Sequence, residues 1–264
     1  MKNIFIATSG YSYKDWKGVF YPKELSAGKY LAYYSKFFPF TELNFSYYKQ
    51  PEERQSLKFL EETDKKFLFS IKAHQSLTHQ PTATWKEDVK IFSGGIAPLS
   101  DANRLASVIL QFPFSFKYTK ENRIYLSNLC KNLSIENSNR IPLSIEFRNR
   151  EWDKPSVISG MKEIGAGWIV SDNPELKGLP KGEMKWTSET AYLRFHGRNR
   201  ENWWQGDNVS RYDYRYSTEE LTEAAEAIKK MSGKVKRMFI AFNNHHKGQA
   251  VENALELKDL VESE

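Results

Sequence analysis

Two short stretches carry charge where a strand would otherwise be apolar: Tyr192 to Asn199 reads YLRFHGRN, and Leu143 to Arg148 reads LSIEFR. Successive side chains in a strand point to opposite faces. Leu193 and Phe195 therefore share one face and Tyr192, Arg194 and His196 the other, while Leu143, Ile145 and Phe147 oppose Ser144, Glu146 and Arg148. An unpaired buried charge is costly enough that the polar face must open onto a wet pocket or form a satisfied ion network.

The same parity gives further candidates: Glu42 and Asn44 against Leu43 and Phe45, then Ser70, Lys72 and His74 against Phe69, Ile71 and Ala73. Gln111, Asp172, and the pair Asn243 and Asn244 stand at the ends of three more apolar runs. By chemical type, Glu146 is the general acid or base, with Glu42 or Asp172 as the second carboxylate. His196 titrates near neutral pH and suits proton transfer. Arg148 and Arg194 present planar donor forks for a carboxylate or phosphate. Lys72 is a phosphate contact or, if desolvated, an amine able to form an imine. The alternative for the whole set is a static network in which Glu146 pairs with Arg148 or Arg194.

Two loops add to the set. The segment NNHHKGQA runs into the last helix, so Asn243, Asn244, Lys247 and Gly248, with Arg198 opposite, fit a phosphate at a helix N-terminus; Asn-rich helix starts are equally simple caps. The loop from Arg198 to Tyr216 carries Trp203, Trp204, Tyr212, Tyr214 and Tyr216 among Arg200, Arg211 and Arg215. It suits either stacking of bases or sugars or an ordered lid on the pocket. His74, His196, His245 and His246 with the carboxylates offer metal ligands, but no short-spaced motif such as HExxH is present, and a divalent metal is disfavoured.

The elements that must position these residues are eight apolar runs, near 3–9, 41–46, 67–74, 107–113, 141–148, 166–172, 191–197 and 237–244. Helical periodicity is clearest over 26–37, 52–63, 120–133, 218–231 and 248–261, with weaker helices at 84–92 and 101–106. Pro174, Gly178, Pro180 and Gly182 leave an irregular connection between strands six and seven. This rhythm predicts an α/β fold, a single TIM-type (β/α)8 barrel over residues 1–264, with chemistry at the C-terminal ends of the strands. An open doubly wound sheet fits less well, since no Gly-rich fingerprint follows the first strand.

With 39 Lys and Arg against 33 Asp and Glu, the chain carries +6, which mildly favours anionic partners. The one cysteine, Cys130, falls in a helical stretch and reads as a buried apolar residue. No window suits a membrane span or a signal peptide, and a cytoplasmic location is expected.

The segments TSGYSYKDWKGVFYP, ELNFSYYKQP, FSIKAHQSLTH, ILQFPFSF, SIEFRNREW, YLRFHGRN, RYDYRYSTEEL and FNNHHKGQAVENA, in that order, resemble the YecE-like family, domain of unknown function 72. The resemblance implies a TIM-type barrel and supplies no activity. Its motifs fall on Gly10, Tyr11, Trp16, Asn44, Tyr47, Lys72, Gln111, Glu146, Arg148, Arg194, His196, Gly197, Arg198, Asn243 and Asn244, which adds Tyr11, Trp16 and Tyr47 to the ligand-binding candidates. Tyr11 and Ser46 stand where Trp and a Ser-Thr pair are expected. The sequence thus predicts an enzyme performing acid/base chemistry, hydrolysis or isomerisation, on a small anionic, phosphate-bearing ligand. The alternatives are a nucleic-acid-binding or nucleic-acid-processing protein and a noncatalytic ligand-binding module.

Overall fold

The computed structural model describes residues 3–135, 141–207 and 209–263. Eight strands, β1 (Ile4–Thr8), β2 (Phe40–Leu43), β3 (Leu68–Lys72), β4 (Leu105–Phe112), β5 (Leu143–Phe147), β6 (Gly167–Asp172), β7 (Thr190–Phe195) and β8 (Arg237–Phe242), form one all-parallel sheet. The helices are α1 (Tyr30–Tyr34), α2 (Glu53–Glu61), α3 (Gln75–Thr78), α4 (Trp85–Asp101), α5 (Lys120–Ile135), α6 (Pro155–Ile164), α7 (Thr218–Ser232) and α8 (Gln249–Glu262). The expected TIM-type barrel is the fold observed.

From β2 to β8 each strand pairs with the next in sequence, and β1 pairs with β8 from Ile4 opposite Met238 to Thr8 opposite Phe242. The seam between β1 and β2 closes only at the top, through a bridge between Ser9 and Glu42 and a bond from the Gly10 N–H to the Glu42 carbonyl at 2.8 Å. β4 shows why such strands read as unbroken apolar runs: all of LASVILQF is buried, because one face looks into the barrel and the other under the helices. Low in the barrel the inner face is aromatic, with Phe40 edge-on to Phe239 at 5.1 Å and Tyr192 stacked on Phe239 at 6.0 Å. Above that layer the filling turns polar.

Several boundaries differ from the sequence reading. The first helix is shorter than 26–37: a 3-10 turn at Ala27–Lys29 leads into a single α-helical turn and a half. Instead of two helices at 84–92 and 101–106 there is one, α4, and the second segment opens β4. Gly95 sits inside α4 because a Cβ there would lie 2.0 Å from the Pro51 carbonyl oxygen, so the glycine lets the helix pack on the loop before α2. Asn103, at φ +56°, turns the chain from α4 into β4. The connection from β6 to β7 contains no helix among the described residues, as its prolines and glycines predict. At α7 the full capping box is present, with the Ser217 side chain accepting from the Glu220 N–H and the Glu220 carboxylate accepting from the Ser217 N–H. Cys130 is buried, as expected.

Candidate functional site

At the C-terminal end of the barrel lies a cavity of about 890 Å³, a size ordinary for a small-molecule site. Its floor is the ion network read from strand parity. Arg194, 2% exposed, extends from β7 across the barrel and donates to both carboxylates. Its Nε meets Glu42 Oε2 at 3.0 Å, its Nη2 meets Glu42 Oε1 at 2.5 Å, and its Nη1 meets Glu146 Oε2. Ser9 and Tyr192 donate to the remaining lone pairs of Glu42, the tyrosine at 3.1 Å. Arg148 Nε lies 2.6 Å from Glu146 Oε1.

Burial alone would raise the Glu146 carboxyl, but Arg148, Arg194 and His196 outweigh it and hold the group well below the usual carboxylate range. His196 goes the other way. Burial and the nearby Arg148 push it down to about 3, so it is neutral at physiological pH. Its Nε2 lies 3.1 Å from Glu146 Oε1 and 3.2 Å from Arg148 Nη2, and its Nδ1 lies 3.0 Å from Asn243 Nδ2. Glu146 and His196 are both fully buried, and neither is among the residues lining the cavity. Glu146 holds both guanidiniums in place, and His196 in turn contacts Glu146.

Lys72 differs from the other charged groups of the floor. It ends β3 with its Nζ 2.7 Å from Gln111 Oε1 and 4.2 Å from the centre of the Tyr47 ring. Among the described residues no carboxylate lies within ion-pair distance of it. Desolvation, then the positive charge of Arg194 and Arg148, lowers its pKa to about 7. Lys72, Gln111 and Tyr47 all line the cavity, together with Glu42, Asn44, Arg148, Arg194, Asn243 and Tyr11. Asn44 donates to Ser9 Oγ at 2.9 Å, which ties the cavity wall to the network beneath.

Three proposed residues, Asp172, Arg198 and His74, lie elsewhere. Asp172 was placed with the inward set, but β6 pairs Ser171 with Arg194 and Asp172 with Phe195, so Asp172 is on the helix-facing side. There its carboxylate accepts a bidentate pair from Arg198 and the Tyr216 hydroxyl at 2.6 Å. Arg198 is held by Asp172 and by Glu220 at 2.7 Å, and therefore does not face the start of α8 as a phosphate ligand. His74 leaves β3 and caps α3, accepting from the Ser76 N–H at 3.2 Å.

The start of α8 is also arranged differently from the expected phosphate cradle. The Lys247 N–H donates to Asp15 Oδ2 at 2.6 Å, and Gln249 donates to Asp213 at 2.9 Å, so carboxylates occupy the approach to the helix terminus. The Lys247 side chain is exposed, and Gly248, at φ +82°, serves as the N-cap against Val19. Asn244, fully buried, donates to the Tyr214 carbonyl and to Asn253. Trp16 is buried beneath the mouth, with its indole N–H on the His245 carbonyl at 2.7 Å.

The loop between β7 and α7 contributes one wall of the cavity through Trp203, Trp204, Arg211 and Tyr212. Trp203, 3% exposed, lies over the Arg148 guanidinium at 5.4 Å and edge-on to His196 at 6.4 Å. Sequence reasoning missed Tyr13 and His79. Tyr13 donates to the Ser9 carbonyl at 2.6 Å and stacks on His245 at 4.4 Å. His79, pushed down to about 4 by burial and then by Lys72, sits edge-on to Tyr47 at 4.8 Å. Both lie on loops, outside any strand parity, although each falls within a motif quoted above. Among the described residues no group of three or more His, Cys, Asp or Glu is placed to hold a metal ion.

Residues 5–264 match the family described as "Protein of unknown function DUF72". The chain belongs to the DUF72 family. It is 34% identical to the UPF0759 protein YunF of Bacillus subtilis, in an alignment covering 99% of this chain and 95% of YunF. Among solved structures it is similar to a DUF72 family protein of Thermotoga maritima, with 38% identity, TM-score 0.90 and coverage of 99% of this chain and 100% of that one. A DUF72 family protein of Enterococcus faecalis is similar at 27% identity and TM-score 0.86, covering 99% of this chain and 96% of that one. DUF72 membership and the barrel thus agree, and the description carries no chemistry. No helix among the described residues is long and apolar enough to cross a membrane.

Proposed function

We propose that this DUF72 protein is an enzyme that binds a small anionic ligand, a carboxylate or phosphate, at the mouth of its barrel and performs acid/base chemistry on it, with Lys72 moving the proton. The observation that carries the reading is the Lys72 amine: it opens on the cavity, has no carboxylate partner among the described residues, and sits beside Arg148 and Arg194 with its pKa lowered to about 7. A base poised near the working pH maximises both the fraction in the right state and the driving force for transfer. Glu42 and Glu146 offset the charges of Arg148 and Arg194, so Lys72 and Arg211 leave the cavity cationic. That excess suits an anion. The nucleic-acid alternative draws less support, because Trp203 is buried on Arg148, Tyr216 is buried, and Arg215 pairs with Glu252.

The test is a thermal-shift series of inorganic phosphate, sugar phosphates, di- and tricarboxylates and nucleotides on wild type and Lys72→Met. A ligand at 100 times its dissociation constant should stabilise by about 2.7 kcal/mol, which raises Tm by roughly 5 to 10 °C in a chain of this size. The expected result is a shift with one anion class that Lys72→Met loses. No shift with any anion, or an equal shift in the variant, refutes the assignment.

A further inference from the structure

We infer that Lys72 is a covalent nucleophile, which forms an imine with an aldehyde or ketone that also carries a carboxylate or phosphate. The inference deepens the reading above and rests on it: the anionic site brings the ligand, and the carbonyl is what the amine then attacks.

The placement of the amine argues for bond formation rather than a salt bridge. A lysine whose sole task is to hold an anion gains from being fully charged and hydrated, and a structural lysine gains from a carboxylate. Lys72 has neither arrangement. Its Nζ is held by one neutral acceptor, Gln111 Oε1, and rests on the Tyr47 ring, while the nearest charges on the floor include two guanidiniums. Arg148 and Arg194 are locked by Glu146 and Glu42, so they cannot swing away to relieve the repulsion. Desolvation and adjacent cations are the two devices that make a lysine nucleophilic. The bond to Gln111 and the ring beneath fix where the amine sits, which matters because attack on a carbonyl needs a directed lone pair.

The step balances without an oxidant or reductant. The Nζ lone pair forms a bond to the carbonyl carbon, the C=O π pair moves to oxygen, and both amine hydrogens leave with that oxygen as water. The product is a C=N bond between Lys72 and the ligand carbon. Arg211, on the cavity wall and in no ion pair among the described residues, is the cation available to the ligand's own anionic group. At pH 7 an amine titrating near 7 has a neutral fraction on the order of a thousandfold larger than an ordinary surface lysine. That difference is what makes selective labelling measurable.

The experiment treats the full chain with pyruvate, glyoxylate or pyridoxal 5′-phosphate at about pH 7.5, just above the Lys72 midpoint, in the presence of cyanoborohydride. Peptides are then mapped by mass spectrometry, with Lys72→Arg and Lys72→Met in parallel. The expected result is saturable addition of the probe's mass less one oxygen at Lys72, faster than at any surface lysine, with a rate rising through neutral pH. Labelling of Lys72 no faster than that of surface lysines with all three probes overturns the inference, as does an undiminished saturable adduct in Lys72→Arg. Thermal shift with the same probes, without reductant, separates the two readings. Stabilisation with no adduct overturns the imine and leaves the anion site standing, and absence of both overturns the two together.

Discussion

Replacing Arg194 by methionine tests the floor of the site directly. The side chain is 3% exposed and is the one cation within ion-pair distance of Glu42 among the described residues. Glu146, by contrast, keeps Arg148 at 2.6 Å and His196 at 3.1 Å after the substitution. The loss therefore falls mainly on Glu42, which is left with the Ser9 and Tyr192 hydroxyls and no positive charge. Breaking a buried pair from one side typically costs about 3 to 5 kcal/mol, because the orphaned charge stays desolvated. In a chain of this size that lowers Tm by roughly 6 to 20 °C. Urea denaturation near neutral pH measures the cost. The sharper arm adds Glu42→Gln: on wild type it removes a partner from Arg194 and destabilises, whereas on Arg194→Met it removes the orphaned charge and stabilises. A cost below about 1 kcal/mol for Arg194→Met, or Glu42→Gln having the same sign in both backgrounds, refutes the network account.

Acid stability should fall in two windows. Between about 6.5, the unfolded histidine value, and the His196 value of about 3, the unfolded chain binds the extra proton, so stability drops as pH drops. Glu146 adds a loss that begins near the unfolded glutamate value of ~4.3 and deepens as pH falls toward its depressed folded value. His196→Gln should reduce the slope of the first window in denaturant titrations, and the remainder belongs to His79, which is pushed down to about 4. On the alkaline side, stability should rise from about 7 to ~10.4, where the unfolded lysine still binds a proton that folded Lys72 has released, and Lys72→Met should remove that slope. Gly197, at φ +86° with a Cβ position 2.7 Å from Tyr214 Cβ, should tolerate alanine only at a cost of about 1 to 3 kcal/mol in a melting experiment. Asp172→Asn should destabilise the protein through Arg198 and Tyr216 while leaving Lys72 labelling unchanged; a lost adduct in a folded variant would return Asp172 to the site.

Strand parity made Glu42, Glu146, Arg148, Arg194 and His196 legible in the sequence, because on β2, β5 and β7 the two faces differ sharply in polarity. It failed on β6, where Trp168 and Val170 lie on one face and Ile169 and Ser171 on the other. Neither face of that strand announces itself, and the terminal carboxylate of Asp172 decided the reading wrongly. The barrel was legible from eight runs and their spacing. The α8 terminus was not, since the carboxylates that meet it, Asp15 and Asp213, are 232 and 36 residues from their partners. Charge complementarity over such separations becomes visible only when the barrel has closed.

The closure itself explains why so much charge is buried at this level. The β1–β2 seam has one bridge, Ser9 to Glu42, and the side chain of the same glutamate is the acceptor for Arg194 from the opposite side of the barrel. A purely apolar layer could fill the space, and replacing buried ion pairs by apolar residues is often neutral or stabilising. It would not hold Arg148 beneath Trp203, nor fix two guanidiniums near Lys72. The two carboxylates and two guanidiniums cancel, which makes the layer tolerable, and Glu42, Arg148 and Arg194 line the same cavity as Lys72. On the proposed reading, an anion entering the mouth supplies the missing negative charge. The same network that closes the seam thus sets the charge of the site above it.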